Sequence, residues 1–423
     1  MAEQNILIQN GTLFREGKAV QEDILIKDGL IAAIGSSLSS DDAQIIPAQG
    51  KLVSYGLADV HVHFREPGYS YKETIASGSR AAARGGYTTV CTMPNLNPVP
   101  DTVATISVEK DIIDKDAVIE VRPYASITLK RQGRQLVDFP QLLPYAVGFS
   151  DDGSGVQTDA VMKEAMQKVA ATDSILAAHC EDNSLLFGGY IHKGAYAAAH
   201  GHKGICSESE WKQIARDIQL AEETGCHYHV CHISTKESVA LIREAKQKGI
   251  HITCETAPHY LTLCDNDLQE DGRFKMNPPL RSEADKAALI EGILDGTIDC
   301  IATDHAPHSA EEKSRGLEKS AMGITGLETA FPVVYTHLVR TGILSLDKMM
   351  SLMCTNPRNI FRLGGRLATG EPADIAIFDL DTPYRINSQT FLSQGHSTPF
   401  DGWEVYGKCI QTIYHGQTVW KEK

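Results

Sequence analysis

A chain of 423 residues with 42% hydrophobic and 22% charged residues has the make-up of an ordinary globular protein able to bury a large core without staples. Lys and Arg number 40 against 54 Asp and Glu, a formal net charge of −14, which excludes a general nucleic-acid or anionic-membrane binder built on a basic surface. A small anionic substrate stays open, because a positive pocket can sit on an acidic protein. The length allows about three domains at ~150 residues each, although barrels routinely exceed that as one unit.

The N-terminal MAEQNILIQNG carries neither a basic segment nor a long apolar one, so no signal peptide is expected. No apolar run approaches the ~18 residues of a membrane span, and a cytoplasmic protein without membrane contact is expected. Residues 1–54 read as short strands, NILIQNGTLF, EDILIKDGLIAAIG and AQIIPAQGKLVS, broken by turns at Asn10-Gly11, Asp28-Gly29 and Gln49-Gly50. Residues 366–423 read the same way, with ADIAIFDLD and CIQTIYHGQTVW, the latter turning at His415-Gly416. Neither end has enough strands for a stable sheet alone, so the two are expected to pair into one small β-sandwich domain.

Between them, over 55–365, eight apolar runs end in polar residues: 56–64, 86–95, 118–127, 145–153, 174–182, 227–234, 251–260 and 299–307. Near-continuous apolar character marks strands buried on both faces, as in parallel sheets. Helix candidates separate them, including SESEWKQIARDIQLAEETG with a capping box from Ser207 to Glu210 and STKESVALIREAKQKG with one from Ser234 to Glu237. Eight such units predict an α/β fold, a (β/α)8 TIM barrel. Strand count alone leaves an open doubly wound sheet as the alternative. Residues 183–205, 262–298 and 306–323 are too long for plain connections, and the charged 306–323 segment is a lid candidate.

Polar residues gather at one end of these strands, the end that forms the active face of such a barrel. The first ends in His61-x-His63, spaced so that both imidazoles can reach one metal. The fourth ends in Asp151-Asp152, the fifth in His179, the sixth in His232 and the eighth in Asp304-His305. Imidazole with carboxylate and no thiolate favours Zn²⁺ or a similar divalent ion. The donors fit two metals sharing one carboxylate, or one metal with spare ligands. Strand alternation is expected to point Cys180 and Cys231 away from the site. The ten cysteines form no C-x-x-C pair and read as small buried hydrophobes in a reducing compartment.

The segments His61-Val-His-Phe-Arg-Glu-Pro-Gly68, Met93-Pro-Asn95, Phe149-Ser-Asp-Asp-Gly153, Ala178-His-Cys-Glu-Asp182, Val230-Cys-His-Ile-Ser234, Lys275-Met-Asn-Pro-Pro279 and Ala302-Thr-Asp-His-Ala-Pro-His308 together resemble the dihydroorotases. The match is to the long bacterial form within the amidohydrolase superfamily and covers nearly the whole chain. It implies zinc-dependent, reversible hydrolysis of the cyclic amide of (S)-dihydroorotate to N-carbamoyl-L-aspartate, the third step of de novo pyrimidine (UMP) synthesis. It implies two Zn²⁺ per chain bridged by Asp152 and a hydroxide. His61 and His63 would bind the first ion, His179 and His232 the second, and Asp304 would bind the first and act as the base. Substrate contacts would come from His63, Arg65, Asn95, Asn277 and His308, with the backbone around Met322-Gly323. Homodimer formation and association with aspartate transcarbamoylase are left open.

This chain departs from wider patterns twice. Many amidohydrolases bridge their metals with a carboxylated lysine on the fourth strand, where this chain has a plain carboxylate, which places it with the lysine-free dihydroorotases. That group often has Phe before the glycine where this chain has Met322. Arg65 offers a planar two-donor fork for the substrate carboxylate, with a surface ion pair to Glu66 or Glu73 as its alternative. Asn95 and Asn277 are alternatively turn residues. His259, Tyr260 and His305 are expected to support the ligands' second nitrogens. Competing functions are another cyclic amidohydrolase (dihydropyrimidinase, hydantoinase or allantoinase) and a non-catalytic dihydroorotase-like scaffold.

Overall fold

A computed structural model describes residues 5–15 and 18–423. The N-terminal strands are β1 (Ile6–Arg15), β2 (Lys18–Lys27), β3 (Leu30–Gly35), β4 (Gln44–Pro47) and β5 (Leu52–Tyr55). The central strands are β6 (Leu57–Val62), β7 (Tyr87–Thr92), β8 (Glu120–Pro123), β9 (Phe149–Ser150) and β10 (Ile175–Ala178). A short pair, β11 (Ile191–His192) and β12 (Gly204–Ile205), sits inside the 183–205 segment. Then come β13 (His227–Val230), β14 (Ile252–Thr256) and β15 (Cys300–Ile301). The C-terminal strands are β16 (Ile375–Asp379), β17 (Tyr384–Arg385), β18 (Glu404–Val405), β19 (Lys408–Tyr414) and β20 (Gln417–Lys421).

Parallel pairing runs β6-β7-β8 and β9-β10-β13-β14-β15. Single parallel bridges, Ala125 to Phe149 and Val62 to His305, join the two runs at both edges. The sheet thus closes on itself as a (β/α)8 barrel, which removes the open doubly wound alternative. Both faces of β6, β7 and β10 are buried, which is why they read as unbroken apolar runs. Ala58, Ala177 and Ala302 keep the barrel interior small enough for Tyr124 and Phe361 to fill it. Those two rings meet edge to face at 6.1 Å, and the Tyr124 hydroxyl donates to Val60 O at 3.1 Å.

Apart from a separate β17-β18 pair, the strands of the two chain ends form one hydrogen-bonded sheet, in which β5 from the N-terminal part pairs antiparallel with β16 from the C-terminal part. The sheet branches at β1, whose first half pairs with β4 and whose second half pairs with β5. Asp28-Gly29 and His415-Gly416 are two-residue hairpin turns with positive φ at both positions, the conformation that matches strand twist. Asn10-Gly11 is not a turn: the pairing shifts register between Ile8 and Gly11, so the dipeptide is a bulge within a continuous β1.

Two further expectations are corrected. The helices form, over Glu208–Thr224 and Lys236–Gln247, but neither of the two capping boxes does. Ser207 makes no side-chain cap, and Thr235 rather than Ser234 caps the second helix. Glu210 is drawn across the fold instead. It accepts from the Ser234 and Thr235 amides at 3.0 Å each and from the Ser238 hydroxyl at 2.7 Å. A carboxylate buried at a helix N-terminus is satisfied by the free amides there, so tertiary contact outbids the local box. All ten cysteines are free thiols, and nine are buried. No helix among the described residues is long and apolar enough to cross a membrane.

Candidate active site

The polar strand ends converge at the mouth of the barrel. Asp152 lies at their centre: its carboxylate oxygens are 3.4 Å from His61 Nε2, 3.5 Å from His63 Nε2, 3.7 Å from His179 Nδ1 and 3.5 Å from His232 Nε2. Asp304 reaches only the first pair, with Oδ1 at 3.0 Å from His63 Nε2 and 3.5 Å from His61 Nε2. Donor atoms of His61, His63 and Asp304 converge as one group, and those of His61, Asp152 and His232 as another. His179 joins through His232, with Nδ1 and Nε2 of the two rings 2.9 Å apart. Asp151 points the other way. It accepts from the Ile127 and Thr128 amides at 2.8 and 3.1 Å and tethers the loop after β8.

The donor set fits a metal. His61 Nε2 and Asp152 Oδ1 are buried without a hydrogen-bond partner, an arrangement that costs several kcal/mol, of order 1–3 per neutral group, unless something binds them. Imidazole nitrogens facing each other need a proton or a cation between them. Burial alone would raise the Asp152 and Asp304 carboxyls. For Asp152 the charge of His61 and the nearby nitrogens of His232 and His61 outweigh burial; for Asp304 the close approach of His63 and the charge of His61 do. Both are held well below the ordinary carboxylate range, so they are anions at neutral pH.

The groups that orient these ligands differ from the expected ones. His61 Nδ1 pairs with Glu255 Oε1 at 2.6 Å, and His63 Nδ1 pairs with Asn95 Oδ1 at 2.8 Å. Glu255 also accepts from the His232 amide at 3.3 Å and faces His229 Nε2 at 3.3 Å. His305 instead faces Glu73 at 3.4 Å and accepts from the Gly326 amide at 3.2 Å. The Tyr260 hydroxyl donates to Pro278 O at 2.5 Å and braces the Asn277-Pro278 corner, with His259 packed on its ring at 4.1 Å. Asp59 accepts from the His61 and Thr303 amides and fastens the first strand end to the last. Glu255 and Asp59 carried a usable signal: a carboxylate inside an otherwise apolar strand must have a buried partner.

Cys180 turns away from the site, toward the Tyr228 hydroxyl at 3.0 Å. Cys231 does not: its Sγ groups with His61 and Glu255 beneath the histidines. The cause is local. β13 ends at Val230 and His232 has φ +32°, so strand alternation no longer holds over 231–232.

Arg65 is buried at the mouth with φ +61°, and its Nε donates to Pro307 O at 3.2 Å. Burial lowers its pKa to about 10, while Asp304 and Asp152 act to keep the proton on. Neither surface partner is engaged with it: Glu66 accepts from the Ile75 amide and the Ser70 hydroxyl, and Glu73 from the Gln394 amide and His305. His308 Nδ1 faces Lys72 Nζ at 3.2 Å, and Nε2 lies 2.8 Å from Met322 O. An ammonium only donates, so the ring proton belongs on Nε2 and points at Met322 O. Asn277 Nδ2 donates to Glu181 Oε1 at 2.9 Å and its Oδ1 is buried without a partner. Gly323 has φ +137°, and a Cβ there would lie 2.5 Å from Ala306 O, so no other residue fits. Its amide is committed to Lys275 O at 3.1 Å. Arg131 was missed by the sequence reading. It donates to Asp152 O and, at 2.9 Å, to Ser154 Oγ, steadying the central carboxylate.

The 306–323 segment is not a solvated loop. Short helices at Ala310–Lys313 and Gly316–Lys319 give it shape, and Lys313 and Leu317 are buried beneath it. One mutation tests the mouth directly. Arg65→Met is expected to raise KM for an anionic substrate by about 10- to 100-fold, the worth of one charge-assisted pair. Steady-state kinetics with an unchanged KM would return Arg65 to a structural role.

A family model described as dihydro-orotase-like matches residues 50–238. Dihydroorotase of Halalkalibacterium halodurans is 50% identical over 421 residues, covering 99% of this chain and 98% of that protein. Dihydroorotase of Enterococcus faecalis is 51% identical over 422 residues, covering 99% of both. Among solved structures, the L-hydantoinase of Arthrobacter aurescens superposes with a TM-score of 0.87 at 29% identity, covering 98% of this chain and 96% of that one. A D-hydantoinase at 23% identity and a TM-score of 0.88 shares the fold over 99% of this chain and 96% of that one. Full-length identity of this size, on a barrel whose mouth gathers four histidines and two carboxylates, shows that the chain belongs to the dihydroorotase family of cyclic-amide hydrolases.

Proposed function

We propose that this chain interconverts (S)-dihydroorotate and N-carbamoyl-L-aspartate with two zinc ions bound at the barrel mouth. The observation that carries the reading is a buried Arg65 beside a centre in which one carboxylate, Asp152, neighbours all four histidines. Dihydroorotate carries a carboxylate that dihydropyrimidines and hydantoins lack, and a guanidinium fork is the group that recognises one.

His61, His63 and Asp304 would hold one ion and His179 and His232 the other, with Asp152 between them. Ions there would supply a water acidified to roughly pKa 7 and a polarised ring carbonyl. Neutral imidazoles leave the centre a net positive charge that additional carboxylates would cancel. Asp304, ionised and with Oδ1 3.0 Å from His63 Nε2, would take the proton of the attacking water on its carboxylate and deliver it to the departing ring nitrogen. Glu255 and Asn95 hold the rings of His61 and His63 in place. Arg65, with His308 and Asn277, orients the substrate carboxylate and ring.

Turnover of dihydroorotate, dihydrouracil and allantoin side by side tests the substrate. A clear preference for dihydrouracil sinks the reading. Elemental analysis of protein purified without chelators is expected to find two zinc ions per chain, and fewer than one would remove the two-ion centre.

A further inference from the structure

Lys313 lies outside the site residues above, yet it is 6% exposed and makes three hydrogen bonds. Its Nζ donates to Lys275 O at 3.0 Å, Ala321 O at 2.8 Å and Gly323 O at 2.7 Å. An ammonium has three donors and no acceptor, so three carbonyls saturate it. The three come from two segments far apart in the chain. One runs through Lys275 to Asn277; the other is the 321–323 stretch whose Met322 carbonyl faces His308 Nε2 at 2.8 Å. A second lysine repeats the tie in the opposite sense, with Lys275 Nζ donating to Glu318 O at 2.8 Å. A methionine at 313 would fill the same volume without burying a charge, so the ammonium's contribution lies in what it joins.

We propose that Lys313 is a positioning residue for substrate binding, its ammonium holding 321–323 against 275–277 so that His308 and Asn277 face the substrate together. The inference rests on the reading of His308 and Asn277 as substrate contacts. Loss of the ammonium leaves Ala321 O and Gly323 O without their donor and a single backbone bond, from the Gly323 amide to Lys275 O at 3.1 Å, to join the two segments directly, so their separation widens. The histidines and Asp152 stand on other strand ends, and Asp304, at the start of the loop that carries Lys313, is fixed by the neighbouring Thr303 amide on Asp59 at 3.1 Å, so binding suffers and the chemical step does not.

The test uses the zinc-loaded enzyme. Lys313→Met is expected to raise KM for dihydroorotate by about tenfold or more, with kcat within about threefold of wild type and metal content unchanged. In Lys313→Ala, propylammonium supplies the atoms removed and is expected to bring KM back down, while potassium chloride at equal ionic strength does not. A residue that serves stability alone would lower Tm without splitting KM from kcat. If Lys313→Met does not fold, Lys313→Gln keeps two N–H donors and is expected to give an intermediate KM. A KM within about twofold of wild type in either variant, or no response of Lys313→Ala to propylammonium, overturns the assignment. Asn277→Ala and His308→Asn are measured in parallel. If they raise KM and Lys313→Met does not, the substrate site stands and the Lys313 role falls. If none of the three moves KM, the reading of the mouth fails and takes this inference with it.

Discussion

Asp304→Asn is expected to lower turnover in both directions by about 10²- to 10⁴-fold, the usual worth of a general acid–base group. The substitution isolates the proton-carrying role. Asparagine has nearly the same shape and keeps an oxygen where Asp304 Oδ1 lies, 3.0 Å from His63 Nε2. It also tolerates the left-handed backbone at this position, where φ is +47°. What it lacks is an ionisable oxygen that takes and returns a proton. Fold and metal content should therefore be checked beside the rate, by circular dichroism and elemental analysis. A rate near wild type in fully loaded protein would remove Asp304 from the base role. A rate lost in proportion to lost metal would assign it to ligation alone.

Glu255→Gln is expected to weaken metal binding by about 10- to 100-fold, the loss typical when a metal-ligating imidazole loses the carboxylate behind it. Glu255 is 1% exposed and, among the described residues, is the only carboxylate paired to His61 Nδ1. Burial pushes its pKa up, but the charges and bonds of His61 and His229 overcome that and bring it down to about 2. It is therefore an anion at any working pH. Glutamine keeps the volume and an acceptor oxygen but not the charge that makes His61 a stronger donor to a cation. Competition with a chromophoric chelator reads the affinity without reference to activity. An affinity equal to wild type would show that His61 is held by packing alone.

The positions at which the histidines and Asp304 leave their strands were readable because the relation is local. A buried parallel strand announces itself as an apolar run, and the residue types that follow it sit at the barrel mouth whatever the rest of the chain does. The pairing of the two chain ends into one sheet was readable for a related reason, since neither has enough strands to stand alone. Local rules failed where a distant group competed. Ser207 and Ser234 had the spacing of capping boxes, but Glu210 found the free amides of the neighbouring helix start. Asn10-Gly11 had the composition of a turn, but the ladder to β2 runs through it as a bulge. Cys231 was read as part of an alternating strand, but the strand ends one residue earlier, at Val230.

By itself, then, the sequence determined the class of fold, the metal-binding character of the donor set and the family, all of which depend on residue type and short spacing. It left open what orients His61 and whether Arg65 pairs with Glu66 or Glu73. Those are decided by contacts across the closed barrel, such as the one between His61 and Glu255, 194 residues apart. Closure brings strand ends from opposite sides of the chain within hydrogen-bond reach in a buried place. There an unpaired polar atom is too costly to leave, so partners are chosen by three-dimensional proximity and not by neighbours in sequence.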